Sequence, residues 1–172
     1  MHKIIFLDRD GTINKDDGYT NKVGDYKLLP NTIKGLKKLQ SQKFKLIIVT
    51  NQSGIGRGYY IEDQMHEFNN HLLNKLKQEN IDIKEVLFCP HTPEDNCNCR
   101  KPKTKLIESY FTPDFDKNNS YVIGDRASDI ELANNAGIKS VLVTTGSSEN
   151  DPESNSNPTF IAEDLLDAAN KI

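Results

Sequence analysis

The sequence has no long hydrophobic run, no basic excess and only three cysteines in 172 residues. Its first apolar stretch, Ile4–Leu7, meets a charge at Asp8, well short of a signal-peptide core or of the roughly 20 residues that cross a membrane. A cytoplasmic protein without a membrane partner is expected. Lys and Arg number 22 against 25 Asp and Glu, for a formal net charge of −3. A domain that binds nucleic acid carries a basic excess, so nucleic acid is excluded as a general partner. Cys89, Cys97 and Cys99 crowd into one short stretch, a spacing poor for stapling a fold but suited to gripping a metal. No repeat recurs at a fixed period. The length fits one domain over residues 1–172 with a single core, and a monomer is expected.

What is present is an alternation. Residues 3–8, 44–51, 85–89, 120–125 and 140–144 are apolar segments of strand length, too continuous to be one-sided, which predicts five central, buried strands. Between and after them, residues 32–42, 61–79, 103–111, 128–135 and 162–171 predict helices, with Leu36 and Leu39, or Met65, Phe68, Leu72 and Leu76, at helical spacing. Strands alternating with helices predict an α/β fold, a doubly wound and mainly parallel sheet covered on both faces. Two stretches break the pattern. Residues 146–158, rich in Ser, Asn, Glu and Pro, read as a solvated linker. Residues 11–30 form a long irregular insertion just past a strand's carboxyl end, where open α/β sheets place binding loops.

The strand ends also carry the chemistry. Asp8-Arg9-Asp10-Gly11-Thr12, Thr50-Asn51-Gln52-Ser53, Arg100-Lys101-Pro102 and Gly124-Asp125-Arg126 should share one edge of a parallel sheet. Carboxylates gathered there repel unless a cation sits among them, and Mg²⁺ suits hard oxygen ligands and bridges to substrate phosphate. Asp8 and Asp10, two apart, can face the same way, Asp8 as nucleophile and Asp10 as proton donor to the leaving oxygen. The Thr50 hydroxyl, the N–H groups around Asn51 and the Lys101 ammonium supply donors for phosphoryl oxygens, and Asp125 completes the metal site. Cys89-x-His91-x5-Cys97-x-Cys99 is a three-thiolate, one-imidazole set suited to a structural Zn²⁺. Its expected work is to hold a loop that aims Arg100 and Lys101.

Taken singly, Asp8 and Asp10 also fit a charged turn, and Asp125 and Asp129 a helix N-terminus. The role of Asp129 is left between capping and support of the metal site. His66 and His71 are five apart, the wrong spacing for one metal-binding helix face, and with His2 they read as surface groups.

In order and spacing, the Asp-x-Asp-Gly-Thr motif, the later Thr and Lys, and Gly-Asp-x-x-x-Asp resemble the haloacid dehalogenase superfamily over essentially the whole chain. The resemblance implies a Rossmann-like phosphatase that forms an aspartyl-phosphate, with Mg²⁺ held by Asp8, the Asp10 backbone carbonyl and Asp125. It also implies a capless site, since no gap between motifs holds a cap domain. Thr50-Asn51-Gln52-Ser53-Gly54, Cys89-Pro90-His91 and Cys97-Asn98-Cys99-Arg100-Lys101-Pro102 resemble the group holding the D-glycero-D-manno-heptose 1,7-bisphosphate 7-phosphatases and the histidinol-phosphate phosphatases. Asp17-Gly18-Tyr19 and the Gly54–Gly58 loop with Arg57 look like the heptose enzymes, whereas Lys101-Pro102-Lys103 and Gly124-Asp125-Arg126 look like the histidinol enzymes. The substrate is therefore expected to be a small phosphorylated metabolite, the heptose bisphosphate first and histidinol phosphate second. It would be bound by Asp17, Gly18, Tyr19, Asn51, Gln52, Ser53, Arg57, Arg100 and Arg126. A non-catalytic, zinc-stabilised binding module is the rival from another class.

Overall fold

The computed structural model describes residues 1–146 and 156–172. Six parallel strands form one sheet: β1 (Ile4–Leu7), β2 (Lys45–Asn51), β3 (Ile83–Cys89), β4 (Tyr121–Gly124), β5 (Lys139–Val143) and β6 (Phe160–Ala162), in the order β3-β2-β1-β4-β5-β6. The helices are α1 (Thr32–Ser41), the single turn α2 (Ser53–Gly56), α3 (Glu62–Gln78), α4 (Ala127–Ala136) and α5 (Leu165–Lys171). Leu36, Leu39, Phe68, Leu72, Leu76 and Ala168 bring α1, α3 and α5 against one face of the sheet. Leu132, Ala133 and Ala136 of α4, with Ile107, cover the other. None of the helices described is long and apolar enough to cross a membrane.

The chain steps outward from β1 to β2 to β3 and then returns to place β4 on the other side of β1. That reversal opens a crevice beyond the carboxyl ends of β1 and β4, where a parallel α/β sheet receives its ligand. Asp8 and Asp125 are the residues that follow those two strands.

Three expectations need correction. First, β3 is an edge strand rather than a central one, with Lys84 and Glu85 in solvent, because among the described residues no further strand pairs outside it. Second, residues 103–111 are not an α-helix. Successive three-residue bonds, Lys103 N to Arg100 O, Ile107 N to Thr104 O and Tyr110 N to Ile107 O, wind them into turns and a short 3-10 helix at Glu108–Tyr110. Ile107 still reaches the core, while Lys103 stays tied to the Cys97 carbonyl. Third, the last helix begins at Leu165, not at residue 162, because residues 160–162 add the sixth strand. Asp164 starts that helix by accepting from the Leu166 and Asp167 N–H groups, each at 2.9 Å. The expected linker over 146–158 lies largely outside the described residues.

The 11–30 insertion is irregular, as its composition implies, and is pinned by one buried side chain. Asn14 Oδ1 accepts from Lys27 N at 2.8 Å while its Nδ2 donates to Lys15 O at 2.8 Å, closing the loop on itself. Leu28 and Tyr26 then pack on the main core. Asn14→Ala removes both bonds from a buried position and should lower the unfolding free energy by about 1–3 kcal/mol, measured by urea denaturation; an unchanged midpoint would show that the loop is held elsewhere.

Candidate active site

The first layer of the site is a buried charge cluster. The strand leaves Asp8 with its N–H donating to Ile123 O at 2.9 Å, so its carboxylate stands at the β1–β4 junction. Asp129, in the first turn of α4, accepts from the Arg126 N–H at 3.2 Å. Between the two lies Lys101, whose ammonium donates to Asp8 Oδ1 at 2.7 Å, Asp129 Oδ1 at 2.6 Å and Val49 O at 2.8 Å. Burial pushes the Asp129 carboxyl up to about 6 against the pull of Lys101. For Lys101 itself, burial would depress the pKa, but the Asp129 and Asp8 carboxylates outweigh it and raise the value. Asp125, fully buried, completes a triangle in which Asp8, Asp125 and Asp129 each present an oxygen within 4.8 Å of the others. Gly11 makes this possible: its φ is +86°, and a Cβ there would stand 2.4 Å from Asp125 Oδ2.

Asp10 faces the cleft from the opposite side. Arg9 donates Nε and Nη2 to its two carboxylate oxygens at 2.9 and 2.7 Å, and Gln52 Nε2 adds a third donor at 3.1 Å. The Arg9 guanidinium is completely buried, 4.6 Å from the centre of the Phe68 ring, and also donates to Asn69 Oδ1 at 2.8 Å and Thr20 O at 2.7 Å. Burial raises the Asp10 carboxyl above its ordinary range, with Arg9 pulling the other way.

Asn51 ties β2 to the lysine segment: its Oδ1 accepts from Lys101 N at 3.0 Å and its Nδ2 donates to Lys101 O at 3.3 Å. On the far side of Lys101 the Cys89, His91, Cys97 and Cys99 side chains converge. The Cys89 Sγ lies 3.5 Å from Cys97 Sγ, 2.9 Å from Cys99 Sγ and 3.6 Å from His91 Nδ1, and His91 Nδ1 lies 3.2 Å from Cys99 Sγ. Tetrahedral ligation with Zn–S near 2.3 Å sets donor-to-donor edges of about 3.8 Å, so the four atoms need only a slight expansion to close on such an ion. The three carboxylates, all buried oxygen donors with Asp8 on the cleft wall, fit a hard cation such as Mg²⁺.

These groups bound a cleft of about 390 Å³. Of the residues singled out above, Asp8, Asp10, Gly18, Tyr19, Thr50, Asn51, Gln52, Ser53, Arg57, Arg100, Lys101 and Arg126 line it. Asp17 does not: its carboxylate turns to solvent and pairs with Lys15. Its neighbour Asp16 takes the place on the cleft wall and binds Arg126 at 3.0 Å. In an irregular loop no period says which of two adjacent carboxylates turns inward. Tyr60 and Ser128 also line the cleft and were not foreseen. Arg9 was missed as well, since nothing in the local sequence says that its guanidinium turns inward and curls back onto Asp10. The Tyr19 ring meets Tyr59 edge-on at 4.7 Å at the cleft mouth. Among the described residues no separate cap covers the opening.

The HAD-hydrolase-like family model matches residues 98–168. The D-glycero-alpha-D-manno-heptose-1,7-bisphosphate 7-phosphatase of Photorhabdus laumondii is 38% identical, over 96% of this chain and 97% of its own length. The histidine biosynthesis bifunctional protein HisB of Blochmanniella floridana is 42% identical over 81% of this chain, which spans 40% of that longer protein. Among solved structures, the D,D-heptose 1,7-bisphosphate phosphatase of B. bronchiseptica, complexed with magnesium and phosphate, superposes with a TM-score of 0.89 at 28% identity, over 98% of this chain and 97% of that one.

Lys101→Met leaves the Asp8 and Asp129 carboxylates facing each other without their cation. In EDTA the variant should lose about 3–5 kcal/mol of unfolding free energy in a urea titration, and wild-type stability would show that the cluster does not depend on the ammonium.

Proposed function

The chain belongs to the haloacid dehalogenase-like family of phosphatases, and we propose that it is a Mg²⁺-dependent phosphomonoesterase in which Asp8 is the nucleophile. The observation that carries this reading is the cluster itself. Asp8 stands at the sheet's switch point with a lysine on one oxygen, two further buried carboxylates beside it and, two residues on, the Asp10 carboxyl whose pKa burial raises.

In this reading an Asp8 oxygen bonds to phosphorus as the bond from phosphorus to the ester oxygen breaks. Asp10 gives that departing oxygen its proton, for which a carboxyl raised above its ordinary range is suited. Asp10 then takes a proton from the water that attacks phosphorus, and phosphate leaves as Asp8 regains its electron pair. The Thr50 hydroxyl and the Lys101 ammonium stabilise charge on the transferring group. Mg²⁺, held by Asp8, Asp125 and the Asp10 carbonyl, would neutralise phosphoryl charge and align the ester for attack. Zinc on Cys89, His91, Cys97 and Cys99 would be structural, keeping Arg100 and Lys101 at the cleft while contributing no reacting atom. The catalytic set also argues against a pure binding module, which has no need of a nucleophile and a proton donor together.

For the substrate we favour D-glycero-D-manno-heptose 1,7-bisphosphate. Arg57, Arg100 and Arg126 on the cleft wall suit a second phosphate, and proteins named for that activity match nearly the whole chain in sequence and in structure. Histidinol phosphate is the second reading, carried by the relation to the histidine biosynthesis protein. The enzyme would act in the cytoplasm as a monomer folded over residues 1–172.

Comparing kcat/KM on the two substrates decides between them, with the heptose bisphosphate expected to be preferred. Asp8→Asn should abolish phosphate release while leaving zinc content and the circular dichroism spectrum intact; turnover near the wild-type rate would place the nucleophile elsewhere. Cys99→Ser should bind zinc substoichiometrically and unfold at a lower temperature, an outcome that full metal retention would contradict.

A further inference from the structure

Tyr60 is buried at the cleft wall, only 5% exposed, yet its hydroxyl touches neither Asp8 nor Asp10. It donates instead to Gln52 Oε1 at 2.6 Å. The Gln52 Nε2 at the other end of that amide donates to two groups at once, Asp10 Oδ2 at 3.1 Å and Thr50 Oγ1 at 2.8 Å. An amide has one donor end and one acceptor end, so its polarity decides what it offers its neighbours. Turned over, Gln52 would set its carbonyl against the Asp10 carboxylate, acceptor against acceptor. The Tyr60 hydroxyl anchors Oε1 and so helps hold the amide in the orientation that offers its nitrogen to Asp10.

The packing around the ring shows that Tyr60 is built into the site. A Cβ on Gly54 would lie 2.1 Å from Tyr60 Cε1, so the turn of α2 leaves its side chain out where the ring passes. Burial pushes the Tyr60 pKa up to about 12, and at neutral pH the hydroxyl carries its proton, as in any tyrosine. A consequence reaches Thr50 too: because its oxygen accepts from Gln52, its own hydrogen is left to point at a phosphoryl oxygen.

We propose that Tyr60 is a positioning residue for the acid–base step, anchoring the Gln52 amide so that its one nitrogen holds Asp10 and Thr50 in register. The assignment rests on the phosphatase reading above, in which Asp10 protonates the leaving oxygen. Loss of the hydroxyl frees the amide to turn, and Asp10 then meets the leaving group in the wrong place. Such a loss matters most where the leaving oxygen is basic. A nitrophenolate departs with little need of a proton, whereas a sugar or alkyl alkoxide does not.

The test compares wild type and Tyr60→Phe on p-nitrophenyl phosphate and on whichever of heptose 1,7-bisphosphate and histidinol phosphate the wild type turns over faster. For Tyr60→Phe, kcat/KM on the alkyl ester should fall about tenfold more than on the aryl ester, a fraction of the roughly 10²–10⁴ that a well-placed general acid contributes. A fall of equal size on both esters, or none on either, overturns the assignment, because a merely structural role moves both together. In a Gln52→Met background Tyr60→Phe should add no further loss on the alkyl ester, and an undiminished effect there also overturns it. A wild type inactive on every ester would instead remove the phosphatase reading, and this assignment with it.

Discussion

One ammonium group buried between two carboxylates allows this sheet edge to exist. Parallel strands all end on the same side, so the acidic residues that follow them are driven together, and burial strips away the water that would screen them. Two carboxylates at the separation of Asp8 and Asp129 repel by about 3 kcal/mol at an effective dielectric near 20, whereas each attracts Lys101 at hydrogen-bond distance by about twice as much. The trio is therefore bound together on balance. Its residual strain shows in Asp129, whose carboxyl burial pushes up to about 6. Asp8 is thus held in place by a cation that occupies one of its oxygens.

That cation comes from a segment with no helix of its own. Lys101 sits in a stretch of turns, and its position depends on borrowed supports: the Asn51 amide bonded to its backbone on one side and the Cys/His cluster beyond Arg100 on the other. Arg100 is itself anchored, donating to the His91 carbonyl at 3.3 Å. A metal in the cysteine cluster would act on the reaction through this chain of contacts, by keeping the lysine where two acids need it. On the other wall, Arg9 and Gln52 hold Asp10 as Lys101 holds Asp8. The two carboxyl groups of the Asp-x-Asp pair are thereby kept in different surroundings, which is what separate roles as nucleophile and proton donor require.

Much of this was legible in the residues. The strands β1, β2, β4 and β5 announce themselves because a strand buried on both faces must be apolar throughout, and Asp8 and Asp125 directly follow two of them. Less legible was whatever depends on neighbours rather than on period. Three residues at 160–162 form a strand only because β5 offers an edge to pair with. Residues 103–111 have apolar side chains at helical spacing, yet only Ile107 becomes fully buried, and their tie to the cysteine loop keeps them in turns. Asp16 and Asp17 are chemically equivalent on paper, and loop geometry alone turns the first toward Arg126 and the second toward Lys15.

By itself, the order of residues determined the α/β alternation, the gathering of Asp8, Asp10, Thr50, Lys101 and Asp125 at one edge, and the convergence of three cysteines and a histidine. Those follow from short-range rules, since strand ends share a side and ligand spacing is local. The tertiary structure alone decided that Asp129 joins the lysine as a full partner, that Arg9 turns inward to brace Asp10, and that Tyr60 donates to the carbonyl end of Gln52. Each of these is a choice of direction for a buried polar group, and that direction is set by whichever donor or acceptor the packed chain happens to leave within reach.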